Sequence, residues 1–396
     1  MMADKRIRIL YLDHGTKPVG GGQVNTLSLI GALDRSRFTP FVLSSSENAF
    51  TQGARDIGVE VVVMPLPRAL TELGRWSVRY DPYHVAVYSW HAARAALRIA
   101  RIVKRQQIDI LHPCDNLMRT LCAIVATLLR KPVVCPIMEE LSPNLTSRLV
   151  RWLVLNTMDF ALPVSERAAL FFRQGGRRKA RIVVTYTGID LDQFTDAVAA
   201  AGRAERAALY GDALVIGIVG RLIPIKGHRE LFHALALLKK TTTRAFRCLV
   251  VGDGPDLDAL RALATELDLE EEVSFTGFHR DVAKVMSLMH IVVAPSHAEA
   301  SSRVVLEAGA LQLPVVATRI GGIPEMVEDG VTGILVDLGD VAGLAHALET
   351  FTDADVRQRM GIAGYQRVHD RFANSVITQG IEDIYVSAVS SRGRRS

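Results

Sequence analysis

APSHAEASSRVVLEAGALQLPVVATRIGGIPEMVEDGVTGILV, residues 294–336, decides how this chain is read. It opens on the end of an apolar run, Ile291 to Ala294, which suits a buried strand and is stopped by Pro295-Ser296. Two carboxylates follow, Glu299 and Glu307, with seven residues between them. Ser301 and Ser302 are good N-cap residues, so the spacing predicts a helix from Arg303 to Leu311. A second short strand, Val315 to Ala317, leads to a Gly321-Gly322 turn and to the Gly330-Val331-Thr332-Gly333 stop. The first strand therefore delivers Glu299 to a loop at its carboxyl end. The helix start beside it offers free N–H groups to an anion, and Glu307, one turn inside, is placed to accept hydrogen bonds from hydroxyls. A ligand that joins phosphate to sugar has both properties.

Outward from this stretch the same alternation covers the chain. In the first half, Ile7–Leu12, Phe41–Leu43, Val59–Met64, Ile108–Leu111, Val133–Pro136, Phe160–Val164 and Ile182–Val184 read as strands. Helical stretches such as Gln23–Leu33, His91–Gln106 and Leu117–Leu129 lie between them. Val215–Val219, Cys248–Val251, Val273–Thr276, Ile291–Ala294, Val315–Ala317 and Gly333–Val336 repeat the theme. Buried strands alternating with helices predict an α/β protein of two Rossmann-like, doubly wound parallel-sheet domains facing a cleft, with ligands at the carboxyl ends of the strands. At 396 residues the chain is too long for one ordinary core. The expected domains are residues 1–190 and 205–373, joined through Gly188–Glu205 and its Ala-rich stretch Asp196–Ala204. A last helix, residues 374–390, is expected to pack back on the first domain, and the basic tail SSRGRRS to be disordered.

Composition excludes several classes. With 49% hydrophobic and 22% charged residues the chain is globular, not fibrous or disordered. Cys114, Cys122, Cys135 and Cys248 form no C-x-x-C pair or metal-like cluster, which favours reduced, buried thiols in a cytoplasmic protein. The start, MMADKRIRILYL, lacks the apolar core of a signal peptide. No uncharged run approaches the roughly 18–20 residues that span a bilayer; the best is Leu121 to Leu129. Charge is uneven: residues 1–190 hold 26 Lys+Arg against 15 Asp+Glu, the remainder 21 against 27. The basic half is read as meeting an anionic or lipid-linked glycan acceptor, or the anionic inner face of a membrane, and not nucleic acid.

Other motifs carry chemistry of their own. Gly220-Arg221-Leu222-Ile223-Pro224-Ile225-Lys226-Gly227 follows a strand and opens a helix at His228, and two cations on such a loop suit a diphosphate. It is not a P-loop, whose order of Gly, Lys and Ser/Thr is absent. Val251-Gly252-Asp253-Gly254-Pro255 lacks the third glycine of a dinucleotide fingerprint, with Leu257 in its place, so it reads as a tight turn beside a nucleotide. Gly20-Gly21-Gly22 gives the backbone freedom to approach a ligand. Asp190-Leu191-Asp192 and Asp256-Leu257-Asp258 formally match a metal-binding Asp-x-Asp pattern, but the first lies in the linker and the second at a helix start, where Asp is favoured anyway. His112 closes a strand of the first sheet and is read as facing the cleft.

Together these residues resemble the GT-B glycosyltransferases, and among them the retaining, nucleotide-sugar-dependent family 4. The likeness covers nearly the whole chain and is strongest from Gly217 to Val336. It rests on Gly20–Gly22, Thr187-Gly188-Ile189-Asp190, GRLIPIKG, VGDGP, Phe275-Thr276-Gly277, the Glu299/Glu307 pair and GGIPEMVEDGVTGILV, in that order. The resemblance implies transfer of a sugar from a nucleoside diphosphate donor to a glycan, lipid-linked or small-molecule acceptor, without a metal or other cofactor. It implies that Arg221 and Lys226 bind the diphosphate and that Glu307 holds the ribose hydroxyls. Glu299, with the backbone of Ala300, Ser301 and Ser302, would face the donor sugar, and the backbone around Arg303 and Val304 would add phosphate contacts. The base would lie near Gly254, Phe278 and His279, and Gly21 and Gly22 would reach the diphosphate from the other domain; His112 joins Arg221, Lys226 and Glu299 as a candidate catalytic residue. The chain departs from the family pattern at Ala300, where Gly is common, and at Cys114 and Met138-Glu139-Glu140, where His is frequent. Two rivals share the architecture: a nucleotide-sugar epimerase and a non-catalytic nucleotide-sugar-binding subunit.

Overall fold

The structure, a computed structural model, describes residues 6–15, 21–71, 82–139, 145–174 and 179–393. The chain divides into two compact units, Met1–Gly188 with Ile377–Ser396, and Ile189–Val376. In the first, β1 (Ile7–Asp13), β2 (Phe38–Ser44), β3 (Glu60–Val63) and β4 (Ile110–Pro113) form a parallel sheet in the order β3-β2-β1-β4. A second parallel sheet holds β5 (Val134–Ile137), β6 (Phe160–Pro163) and β7 (Arg181–Ile182). A parallel bridge between Leu111 and Val133 joins the two. The sequence pattern predicts one doubly wound sheet here; short strands and a one-residue join break it in two.

Both faces of β1 are buried, which is why it reads as a continuous apolar run. Leu10 and Leu12 pack with the helices Pro82–Arg105, Asn116–Leu129 and Leu145–Thr157. Ile9 and Tyr11, on the other face, pack with Ile381, Ile384 and Tyr385 of the helix Asn374–Gly393. Glu382 of that helix pairs with Arg37 at 3.1 Å and accepts the Asp34 N–H at 2.8 Å. The helix does not stop at Ser390 but runs to Gly393, where the composition predicts disorder, and residues 394–396 lie outside the described residues.

The second unit holds one six-stranded parallel sheet: β8 (Leu214–Val219), β9 (Phe246–Val251), β10 (Val273–Gly277), β11 (Ile291–Ala294), β12 (Val315–Thr318) and β13 (Gly333–Val336), in the order β10-β9-β8-β11-β12-β13. Asp196–Ala204, read as linker, is instead the first part of a helix, Asp196–Tyr210. Alanine is the best helix former, Thr195 caps the start by accepting from Val198 N, and the helix packs on Val282–Ser287, where a side chain at Gly202 would overlap Ser287. The second unit thus begins at Ile189 and not at residue 205. Among the described residues no helix is long and apolar enough to cross a membrane.

Candidate active site

In the second sheet the chain leaves β8 toward β9 on one side and leaves β11 toward β12 on the other. The loops at their carboxyl ends therefore part, opening the crevice where open α/β sheets take ligands. Gly220–Gly227 emerges from β8 and runs into the helix His228–Thr241; Pro295–Ser302 emerges from β11 and runs into Arg303–Ala310. Two helix starts border one crevice. The loops are bonded together: His297 N donates to Ile225 O at 2.8 Å, Leu222 N to Asp253 O at 3.0 Å, and Asp256 N to Leu222 O at 3.1 Å. Two glycines make this fit possible. Gly227 has φ +72°, and a Cβ there would lie 1.9 Å from the Pro295 carbonyl oxygen. Gly252, at φ +137°, would place one 1.9 Å from Gly220 O.

Within this frame Lys226 Nζ makes an ion pair with Glu299 Oε1, which also accepts from Ser296 Oγ at 3.3 Å. The Glu299 carbonyl accepts the Gly322 N–H at 3.0 Å, fixing the loop that carries it. Sequence reasoning assigns these two side chains to different parts of a ligand and does not foresee their pairing. Arg221 is exposed, and among the described residues its guanidinium has no partner. One turn into the Arg303–Ala310 helix, Glu307 is only 6% exposed and accepts from Arg303 Nε at 2.7 Å. Burial raises the Glu307 carboxyl above its ordinary range, and Arg303 acts against that. Ser302 holds the N-cap position and is buried, but the expected capping bond from its side chain does not form. Ala300, Ser301, Arg303 and Val304 are all half-buried along the same turn. Gly254 lies against the Leu222 backbone, and Gly252 N bonds to Gly277 O at the end of β10. That bond brings in Phe278, 74% exposed, and His279, whose Nε2 lies 3.2 Å from Thr276 O.

The remaining candidates belong to the first unit. Gly21 and Gly22 are not a free loop; they form the first turn of the helix Gly21–Ala32, which starts two residues earlier than expected, and Gly20 lies outside the described residues, as does Glu140. His112 does not face open space. It is 2% exposed, its Nδ1 lies 2.9 Å from Tyr385 Oη, and Tyr385 Oη lies 3.0 Å from Tyr11 Oη. The returning helix covers it, and burial lowers its pKa to about 3. Cys122, Cys135 and Cys248 are buried and all four thiols are free.

Three features escape the sequence reading. At the carboxyl ends of β1 and β4, Asp13 accepts from Gly15 N and Gln23 Nε2, and His14 lies 2.9 Å from Asp115. Arg119, buried, pairs with Glu139 and donates to Pro136 O at 2.8 Å. Their signal is positional, since each follows a strand end. The third is His228, the residue after GRLIPIKG: it is 3% exposed, neither ring nitrogen has a hydrogen-bond partner, and burial lowers its pKa to about 4. Asp190 uses its carboxylate on its own turn, accepting from Asp192 N and Gln193 Nε2. Among the described residues no three His, Cys, Asp or Glu are grouped to hold a metal.

The buried histidines carry a stability prediction. Burial also lowers His290 to about 3, and its Nδ1 accepts the Val215 N–H at 3.0 Å. A histidine whose folded pKa is depressed binds its proton more readily when unfolded, so stability is complete above the unfolded value, about 6.5, and falls as pH drops toward 4. Asp13 and Glu307, raised by burial, act in the opposite direction. Denaturant melts between pH 7 and 4.5 should show a loss on the order of a few kcal/mol. The loss should shrink in His228→Gln; a flat profile would refute the neutral, buried assignment.

Residues 204–367 match the family described as Glycosyl transferases group 1, and residues 19–193 match Glycosyltransferase Family 4. The chain belongs to this glycosyltransferase family, and its fold is GT-B. N-acetyl-alpha-D-glucosaminyl L-malate synthase of Bacillus anthracis is 26% identical over 78% of this chain and 80% of that protein. Lipopolysaccharide core biosynthesis glycosyltransferase LpsE of Rhizobium meliloti is 31% identical over 61% of this chain and 64% of its own length. The D-inositol 3-phosphate glycosyltransferase of a Mycobacterium species is 39% identical, over 43% of this chain and 39% of that one. Among solved structures, Anabaena HepE in complex with UDP and glucose superposes with a TM-score of 0.79, covering 96% of this chain and all of that one at 24% identity, which speaks to fold alone.

Proposed function

We propose that this chain is a retaining, metal-independent glycosyltransferase that takes a sugar from a nucleoside diphosphate donor. The observation that carries the reading is the β8/β11 crevice, where two helix starts, the Lys226–Glu299 pair and the unpartnered Arg221 converge. A diphosphate seated there would meet Arg221 and Lys226, and Lys226 would exchange its carboxylate partner for phosphate oxygens. Both cations would neutralise the charge that grows on the leaving group, and electrostatic stabilisation of that kind contributes most to such chemistry. Glu299, released from Lys226, would then face the sugar. An acceptor hydroxyl attacking on the side from which the diphosphate departs, through an oxocarbenium-like state, gives retention. The acceptor is proposed to be an anionic or lipid-linked glycan. The complex of HepE with UDP makes UDP the first nucleoside diphosphate to test. No observation on this chain favours the epimerase or the non-catalytic subunit.

Thermal shift across nucleoside diphosphates and their sugars tests the donor, since ligand at 100 times its Kd adds about 2.7 kcal/mol. The matching nucleotide should raise Tm with EDTA present, and transfer should proceed in EDTA. A shift or turnover that appears only with magnesium or manganese would overturn the metal-free reading.

A further inference from the structure

The first unit exposes one surface that the donor site does not use. The helices Pro82–Arg105, Asn116–Leu129 and Leu145–Thr157 lie side by side, the first packed on the second and the second on the third. None of the three contains an aspartate or glutamate. Along the first, Arg94, Arg98, Arg101, Lys104 and Arg105 are all exposed, and their spacing sets them on one face of the helix. Among the described residues none of these five pairs with an acid: Arg94 lies over the Trp90 ring at 5.6 Å, and Arg98 donates to the Pro65 carbonyl. That same face carries Trp90, 61% exposed, and Leu97. The third helix repeats the pattern with Arg148, Leu149 and Trp152, the last 62% exposed.

Large exposed indoles are unfavourable in water, and beside arginines that no acid neutralises they suit a headgroup layer, where the ring meets the acyl boundary and the cations meet lipid phosphates. We infer that this face, centred on Trp90 and Trp152, seats the protein on an anionic bilayer surface, with helix Pro82–Arg105 as its electrostatic strip. The proposal rests on the glycosyltransferase reading only in giving that enzyme a place to meet a lipid-linked acceptor; the surface itself belongs to the first unit and the donor crevice to the second. Charge complementarity selects the occupant. The exposed tryptophans and Leu149 narrow it further, to an anionic surface with an apolar layer beneath its charges.

The test is sedimentation of the full chain with phosphatidylcholine vesicles with and without phosphatidylglycerol, across a salt series. Binding should require phosphatidylglycerol and weaken as salt rises, because screening shortens electrostatic reach to about 8 Å at physiological ionic strength. Combined Arg94→Glu, Arg101→Glu and Lys104→Glu should reduce binding at least about tenfold, since each basic residue near an anionic surface contributes measurably to attachment. Trp90→Ala with Trp152→Ala should lower binding even at low salt, where charge-only attachment would be unaffected. Nucleotide-induced thermal shift, measured on the same variants, should be unchanged. Loss of that shift in the wild type would remove the donor reading without touching this one. Equal binding to neutral and anionic vesicles, or wild-type binding by the charge-reversed variant, would overturn the proposal. So would a concentration-dependent dimer that the tryptophan variants abolish, because the face would then be an interface between two copies.

Discussion

Replacing Lys226 with alanine is expected to lower kcat/KM by about 10²–10³-fold, and Arg221→Ala by a similar factor, by analogy with removal of one preorganised donor at a developing negative charge. The two variants should differ in everything else. Arg221 is exposed and unpaired, so its loss should leave stability within about 0.5 kcal/mol of wild type. Lys226 is bonded to Glu299, which is 13% exposed, so Lys226→Ala leaves a largely enclosed carboxylate without its cation. That variant should lose stability, and Glu299→Gln should return part of it. A double-mutant cycle over Lys226 and Glu299 should therefore show coupling of about 0.5–3 kcal/mol, whereas Arg221 with Glu299 should be additive in stability. Wild-type turnover in either alanine variant would remove the diphosphate assignment.

The pairing on which that cycle depends could not be read from the sequence. Lys226 and Glu299 are 73 residues apart, and they meet only because β8 and β11 are neighbours in the sheet. Strand order is a non-local property, whereas apolar runs and turn residues are local. The local part is legible: Ile291–Ala294 is β11 with the same bounds, and Val315–Ala317 falls one residue short of β12. Parallel strands buried on both faces announce themselves as apolar runs stopped by Gly or Pro. His112 shows the opposite case. Its place at a strand end is visible, and so is the return of the last helix to the first domain, but that Tyr385, 273 residues away, lands on His112 is a contact no local pattern shows. The Asp196–Ala204 stretch differs from its reading for another reason: alanine and a capping threonine argue for a helix, and the expectation of a linker outweighs them when only the sequence is in view.

Glu307 and Glu299 should fail in different ways. Glu307 is nearly enclosed and held by Arg303, inside a helix packed against β11 and β12. Its position is fixed before any ligand arrives, so contacts it makes with ribose hydroxyls would be the same in the ground and transition states. Glu307→Gln should accordingly weaken nucleoside diphosphate and intact donor alike, by roughly tenfold each, and appear as a higher KM with kcat little changed. Glu299 lies on the loop after β11, where its charge is shared with Lys226 in the free protein. In the proposed mechanism that charge becomes available to the sugar only when Lys226 moves to the diphosphate, so it acts where positive charge develops. Glu299→Gln should lower kcat by about 10²-fold while nucleoside diphosphate affinity holds or rises, since Lys226 no longer has to leave a carboxylate. A purely structural Glu307, holding Arg303 and the helix, would instead lower Tm with no selective loss of affinity in the folded fraction. Titrating each variant with nucleoside diphosphate and with intact donor, beside a denaturant melt, separates these cases. Equal affinity losses in the two variants would mean that the two carboxylates do not divide the donor between them.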